Sequence, residues 1–252
     1  MFLEPSAISA AFAQYIQRYG VRKDWDISHR CQCWAKGQHA FDCDCAESFD
    51  WLHRALRGYW QAFRNAAGPC WSAAEAFGQM KRLDQVYRGK RLSQCGPGDI
   101  PALWQVVLAM SPIKPMKSGP SVVAISKFLH FWNPRLFVIV DYEMVWRRVI
   151  SSHWWLWREV VAARQVVEAA LPGQRGDPTD ATCDLVSYLA ILLWAGQIVR
   201  DNPTVPAIFA QHCRDAPSEF ALPFLEYEAA GLEWLLLGLA ELPPPGVRVS
   251  LA

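Results

Sequence analysis

A carboxylate at the end of an apolar run is the side chain best suited to chemistry in this sequence. Asp141 directly follows the apolar residues 136–140, so we expect it at the end of a rigid, partly buried segment. A carboxylate held in this way serves as a general base, or stabilises positive charge that develops on a substrate. The structural alternative is that Asp141 caps the helix expected at residues 143–150.

A lysine-containing loop precedes the apolar run and has the composition of a phosphate-binding turn. Residues 111–119 join two expected helices and contain Lys114 and Lys117. A loop that leads into a helix exposes backbone N–H groups with no partner inside the helix, and the helix dipole adds partial positive charge there. Together with the two ammonium groups, these donors favour an anion such as a phosphate.

The order of helix, hairpin, helix, proline-containing turn and apolar run ending in Asp141 resembles the core of the helix-hairpin-helix DNA glycosylase superfamily. The resemblance covers about residues 100–150. It implies an all-α fold with two helical lobes flanking a central cleft. It also implies that the hairpin grips double-stranded DNA, and that Asp141 helps to break the N-glycosidic bond of a flipped-out base.

The same resemblance suggests which other residues belong to the site. The residues expected to contact DNA are Lys114, Lys117, Ser118, Gly119, Ser121 and Lys127. Aromatic residues that flank the motif are candidates for the base pocket, with core packing as the alternative for each: Trp132, Tyr142 and Trp146.

The hairpin departs from the family pattern in ways that bear on mechanism. The usual hairpin reads Leu-Pro-Gly-Val-Gly, and only Gly119 is well placed here. Family members that also cleave the strand carry a nucleophilic lysine early in the second helix, a position that falls near Ser121 or Val122. Lys127 comes one to two turns later. We therefore expect a monofunctional, Asp-assisted glycosylase, with Lys117 as the remaining lysine candidate for a nucleophile.

Four of the eight cysteines are concentrated in the polar segment 21–47. They are Cys31, Cys33, Cys43 and Cys45. Four thiolates can close a tetrahedral zinc site, and a metal would order a segment so poor in apolar residues. We therefore expect a structural zinc. The Cys-x-Cys spacing differs from the usual Cys-x₂-Cys, so free thiols, a redox-labile patch and iron–sulfur ligation remain open.

Composition and periodicity place these candidates in one helical domain over residues 1–252. The chain is 52% apolar and 19% charged with a net charge of +1, which is typical of a globular protein without a strongly basic surface. Helical periodicity dominates, and no alternating pattern is long enough for a sheet. We expect helices at residues 7–19, 48–66, 71–86, 100–110 with Asp99 as N-cap, 120–132, 143–150, 155–171, 180–199 and 223–242.

The sequence also suggests where the protein acts. Residues 1–13 are apolar but contain Glu4 and lack a basic start, so we expect no secretion signal. The apolar run 185–199 is too short to span a bilayer. We therefore expect a cytoplasmic protein with reduced cysteines and no membrane partner.

Three functions fit these observations. The first is a DNA N-glycosylase that excises a damaged or modified base, either in repair or in defence against foreign DNA that carries modified bases. The second is a non-catalytic helix-hairpin-helix protein that binds nucleic acid. The third is a small-molecule or protein-interaction module on an unrelated helical fold. The base itself is not identified, because specificity depends on pocket residues contributed by distant helices.

Overall fold

The protein is mostly helical, which confirms the expected all-α class. The computed structural model describes residues 3–19, 32, 35–47, 49–50, 53–54, 68–116, 119–174, 184–212 and 228–242. The helices are α1 (Pro5–Tyr19), α2 (residues 35–42), α3 (Ala73–Tyr87), α4 (Ile100–Ala109), α5 (Val122–Trp132), α6 (Tyr142–Ser151), α7 (Trp154–Ala170), α8 (Leu185–Asp201), α9 (Val205–His212) and α10 (Glu228–Leu239). Short 3₁₀ turns flank α4 at Leu92–Gln94, Pro97–Asp99 and Ser111–Ile113.

The loop between α4 and α5 is a hairpin, as expected. Pro115–Met116 (β1) pairs antiparallel with Gly119–Pro120 (β2), and this is the only sheet in the described residues. Pro120 was expected in the first turn of the following helix but lies in β2. The reason is that the Ser121 hydroxyl accepts a hydrogen bond from the Ala124 N–H at 3.3 Å, which makes Ser121 the cap of α5.

The core is built on two helices that are buried almost all round. Nearly every residue of α8 is buried, and α10 is buried along its whole length although it contains Glu228 and Glu233. Helix α10 packs against α1, and α8 packs against α7. A helix that is buried on every side needs apolar residues on every face, which explains the weak amphipathic pattern of both sequences. None of the described helices combines the length and apolar composition that crossing a bilayer requires.

Several expected helix ends were wrong, and capping explains the start of α8. Helix α8 begins at Leu185, because the Asp184 carboxylate accepts a hydrogen bond from the Ser187 N–H at 2.7 Å. Asp99 precedes α4 but does not cap it with its side chain. Instead it accepts from the Gly96 N–H at 2.9 Å and pairs with Lys90. Helix α9 was not expected, and most of the helix expected at residues 48–66 lies outside the described residues.

Helix α6 has π-helical winding where an ordinary α-helix was expected. Its first turn is closed by the Asp141 carbonyl, which accepts from the Val145 N–H at 2.9 Å and the Trp146 N–H at 3.0 Å. The second bond spans five residues, and the winding continues over ten residues. Helices with this winding are rare, and here the winding begins directly after Asp141.

Candidate functional site

The extended segment 133–140 returns along α5 and is fixed to it by side chains of the helix. The His130 ring donates from Nδ1 to the Phe137 carbonyl, and the Ser126 hydroxyl accepts from the Val140 N–H at 3.1 Å. Ser126 and His130 are fully buried. The apolar residues 136–140 are also buried, which confirms the buried wall expected before the carboxylate. These hydrogen bonds between α5 and the segment determine the position of the next residue, Asp141.

The next residue is Asp141, and it lies beside Lys127. Lys127 Nζ is 3.0 Å from Asp141 Oδ2, with side chains 13% and 30% exposed. The other carboxylate oxygen, Oδ1, accepts from the Glu143 N–H at 3.1 Å and the Met144 N–H at 3.2 Å. Asp141 is therefore both the cap of α6 and the partner of a mostly buried ammonium. The partial burial strengthens this ion pair relative to an exposed one.

Lys127 is much closer to Asp141 than the sequence spacing suggested. The family pattern places a lysine early in the second helix, whereas Lys127 is the sixth residue of α5. The end of segment 133–140 lies beside the middle of α5, not beside its first turn. Asp141 therefore contacts the middle of the helix. The turn at Asn133 and Pro134 was the available signal that the chain reverses there, but it did not indicate how far the chain returns.

Lys114 lies at the base of the hairpin and is nine-tenths buried, with 9% exposure. Its carbonyl accepts from the Ser121 N–H at 3.3 Å, which ties it to the start of α5. Burial lowers the pKa of the Lys114 ammonium, and the charge of Lys127 lowers it further, while Cys70 acts in the opposite direction. Lys114 was expected to contact phosphate on the surface. At 9% exposure, Lys114 does not fit the expected surface position.

The other expected DNA contacts are only partly visible. Lys117 and Ser118 lie outside the described residues. Gly119 belongs to β2, where its position is opposite Met116. The Ser121 hydroxyl is engaged as the cap of α5. In the described part of the hairpin, β1 and β2 are paired, and β2 leads directly into the N-terminus of α5.

The three aromatic candidates differ sharply in exposure. Trp132 is fully buried, and its Nε1–H donates to Asp84 Oδ1 at 2.9 Å. Trp146 is 1% exposed and stacks edge-on against Trp157 with ring centroids 5.7 Å apart. Both occupy core positions, which was the alternative reading for each. Tyr142 is 37% exposed and directly follows Asp141, so of the three candidates it is the one at the surface.

A charged network that the sequence did not predict surrounds the buried Asp84. This residue is 5% exposed and accepts from Trp132 and from Arg88 Nε at 2.7 Å. Arg88 also binds Asp42 at 2.6 Å, so the network joins α2, α3 and α5. It borders a cavity of about 420 Å³ lined by Phe41, Asp42, Lys81, Asp84, Gln85 and Arg88. The four-residue spacing of Asp84 and Arg88 was the available signal in the sequence.

The cysteine segment is described only in part. Cys31 and Cys33 lie outside the described residues. Cys43 is exposed, with its Sγ 3.9 Å from Nε2 of His39, and Cys45 is partly exposed. Within the described ranges, no group of three or more His, Cys, Asp or Glu side chains is arranged to hold a metal ion. The zinc site therefore stays a prediction.

Comparisons with known proteins do not identify a relative. The chain matches no family model, no curated protein and no solved structure. Its function is therefore inferred from the geometry of this site, above all from Lys127 and Asp141.

Proposed function

We propose that the protein is a DNA N-glycosylase that removes a damaged or modified base, with Asp141 as its catalytic carboxylate. The observation that carries the proposal is the Lys127–Asp141 pair, 3.0 Å apart at the start of α6. Asp141 follows a hairpin between two helices and a buried run, which is the order found in the family that the sequence resembles. The proposal includes that family's arrangement of two lobes around a cleft.

The chemistry of base removal suits a fixed carboxylate. As the base leaves, the sugar develops oxocarbenium character, and a nearby carboxylate stabilises this charge or activates the attacking water. Two backbone N–H groups and Lys127 hold the Asp141 carboxylate in place before substrate binds. Such preorganisation lowers the reorganisation required during the reaction.

DNA binding is proposed for the hairpin and for the surface next to Asp141. The base must leave the helical stack to reach the carboxylate, at a cost of a few kcal/mol. The exposed ring of Tyr142 can offset part of this cost by stacking on the base. Repair of damaged DNA and defence against foreign DNA with modified bases use the same chemistry, so both belong to the proposal.

The test is base excision from defined substrates. Duplexes that each carry one lesion or one modified base are incubated with the protein, and abasic sites are then cleaved with alkali. We expect product from at least one substrate, and we expect Asp141→Asn to abolish it. Glu143→Gln is the matched control, because Glu143 is an exposed carboxylate two positions away that pairs with Arg147. Product that persists in Asp141→Asn contradicts the assignment.

The dual role of Asp141 as helix cap and ion-pair partner favours one alternative, a non-catalytic protein that keeps the helix-hairpin-helix element for binding nucleic acid. In that case the protein binds duplex DNA with an affinity that falls steeply with salt, and no substrate yields product. Measuring binding at several salt concentrations beside the excision assay separates the two functions.

A structural zinc held by Cys31, Cys33, Cys43 and Cys45 is a separate part of the proposal. The donor chemistry supports it, since thiolates are preferred zinc ligands. Zinc content of the purified protein tests it. We expect Cys43→Ser to lower the bound zinc and Cys70→Ser to leave it unchanged, and a protein without zinc contradicts the site.

A further inference from the structure

We propose that His39 binds zinc together with Cys43, so that the metal site of the cysteine segment contains a nitrogen ligand as well as sulfur ligands. The inference rests on the zinc part of the proposed function, in which thiolates alone were the expected ligands. It does not depend on base excision. The two side chains are called the 39–43 pair.

The 39–43 pair projects from one face of α2 at its C-terminal end. The Cys43 N–H donates to the His39 carbonyl at 3.0 Å, and residues four positions apart in a helix lie on the same face. His39 Nε2 lies 3.9 Å from Cys43 Sγ, and both residues are exposed. The pair therefore presents a nitrogen and a sulfur side by side at the surface.

The separation of these two atoms is close to what a tetrahedral zinc ion requires. With Zn–N of about 2.0–2.1 Å and Zn–S of about 2.3 Å, a tetrahedral angle puts the two ligand atoms about 3.5 Å apart. The observed 3.9 Å is slightly longer, and small rotations of two exposed side chains remove the difference. The contact of Cys43 Sγ with the Ala40 carbonyl, also 3.9 Å, is lost when the thiol becomes a thiolate.

The residues on either side of Cys43 are fixed to α3 by ion pairs. Asp42 Oδ1 lies 2.6 Å from Arg88 Nη1, and Asp44 Oδ1 lies 2.5 Å from Lys81 Nζ. Each of these carboxylates thus has a cation of its own, which leaves the imidazole and the thiol for a metal. Because the backbone around Cys43 is held before the metal arrives, binding requires less ordering of the chain.

The end of α2 also favours a cation at this position. Asp44 has a positive φ of 55°, and the Cys45 N–H donates back to the Ala40 carbonyl at 2.8 Å, which ends the helix. Carbonyl groups at a helix C-terminus carry partial negative charge, which stabilises a cation beside the last turn. Cys45, another expected zinc ligand, directly follows this turn.

Zinc binding by the 39–43 pair releases one proton. Cys43 loses its thiol proton to solvent and binds as the thiolate, and neutral His39 binds through the lone pair of Nε2. The ion stays divalent, so the step requires no oxidant or reductant. Because acid protonates both ligands, zinc binding should weaken as the pH falls.

Zinc affinity of the full chain and its variants tests this inference. Each protein is stripped of metal, and its affinity for zinc is measured by competition with a chromophoric chelator. Loss of a group that only orients a ligand weakens metal binding by about 10–100-fold, so we expect His39→Asn and Cys43→Ser each to weaken it by at least about tenfold. His153→Asn and Cys70→Ser, at partly exposed positions outside the segment, should keep the wild-type affinity.

The wild-type protein provides a readout that does not depend on a variant that must fold. X-ray absorption at the zinc edge distinguishes imidazole nitrogen from sulfur, and we expect both around the ion. Four sulfur ligands overturn the inference and support the site made of cysteines alone, as does full zinc affinity in His39→Asn. Nitrogen that persists in His39→Asn belongs to another histidine and also overturns the inference.

A further variant separates this inference from the four-cysteine site. If Cys31→Ser keeps zinc while His39→Asn loses it, the inference is supported and the four-cysteine site is contradicted. A protein that binds no zinc overturns both. Base excision by the same samples tests the catalytic proposal independently, because none of these substitutions touches Asp141 or Lys127.

Discussion

Lys127 and Asp141 form an ion pair with Nζ and Oδ2 3.0 Å apart, although they are fourteen positions apart in the chain. The same carboxylate caps α6 through the Glu143 and Met144 N–H groups. Substitutions at Asp141 can therefore separate its charge from its capping role.

Asp141→Asn and Asp141→Ala should differ in stability but not in activity. Asparagine keeps an oxygen that accepts from the backbone of α6, whereas alanine removes it and costs about 1 kcal/mol more through loss of the cap. Neither variant retains the charge that the proposed reaction needs. Urea unfolding and base excision measure the two effects. If Asp141→Asn keeps full excision, the carboxylate has only a structural role.

Ser126→Ala should weaken the contact between α5 and segment 133–140 that places Asp141 beside Lys127. The substitution leaves the buried Val140 N–H without its 3.1 Å acceptor, which we expect to cost about 1–3 kcal/mol of unfolding free energy. Ser152→Ala is the control, because its hydroxyl makes an exposed hydrogen bond, and we expect a change within about 0.5 kcal/mol. Equal effects of the two substitutions in urea unfolding would contradict the importance of this contact.

Lys114→Met should stabilise the protein at neutral pH. It replaces a buried, unpaired cation with an apolar side chain of similar length, and we expect a gain of about 1 kcal/mol. Urea unfolding at pH 7 measures the gain, and a loss of stability would show that the ammonium is compensated in the fold.

The pH dependence of that gain follows from the lowered pKa of Lys114. Between the folded-state pKa and the usual value of 10.5, the unfolded chain binds more protons than the folded one. The wild-type protein therefore gains stability as the pH rises through this range, and loses it again as the pH falls. The advantage of Lys114→Met should shrink as the pH approaches 10.5, which a series of unfolding curves reveals.

Gly238→Ala should destabilise the contact between α1 and α10. A Cβ at this position would lie 1.9 Å from the Ala11 carbonyl oxygen, so the helices must separate, at an expected cost of about 1–3 kcal/mol or more. Gly78→Ala is the matched control inside α3, where nothing lies within 4 Å, and it should stabilise by about 0.5–1 kcal/mol. In thermal unfolding, we expect Gly238→Ala to lower the melting temperature and Gly78→Ala to raise it.

The described cysteines should react with iodoacetamide in a fixed order. Burial raises the pKa of the Cys95 thiol to about 12, so it carries almost no thiolate at pH 8. Cys43 is exposed and, in protein from which zinc has been removed, should be alkylated before Cys95. Peptide mass spectrometry over time records both, and early alkylation of Cys95 in the folded protein would contradict its burial.

The sequence by itself determined the helical class and many helix ends, because these depend on residues that are close together along the chain. The hairpin between α4 and α5 and the stop at Asn133 and Pro134 were both predictable from local turn chemistry. The burial of residues 136–140 was also predictable, since exposing an uninterrupted apolar run to water is unfavourable.

Only the tertiary structure decided which distant side chains meet. How far segment 133–140 returns along α5 depends on hydrogen bonds such as that of Ser126 with Val140, and these form only when the two elements pack. The burial of Lys114 and the pairing of Trp132 with Asp84 likewise depend on packing between elements. Local propensity carries no information about such contacts, because their stability comes from surfaces and charges that approach one another only in the folded chain.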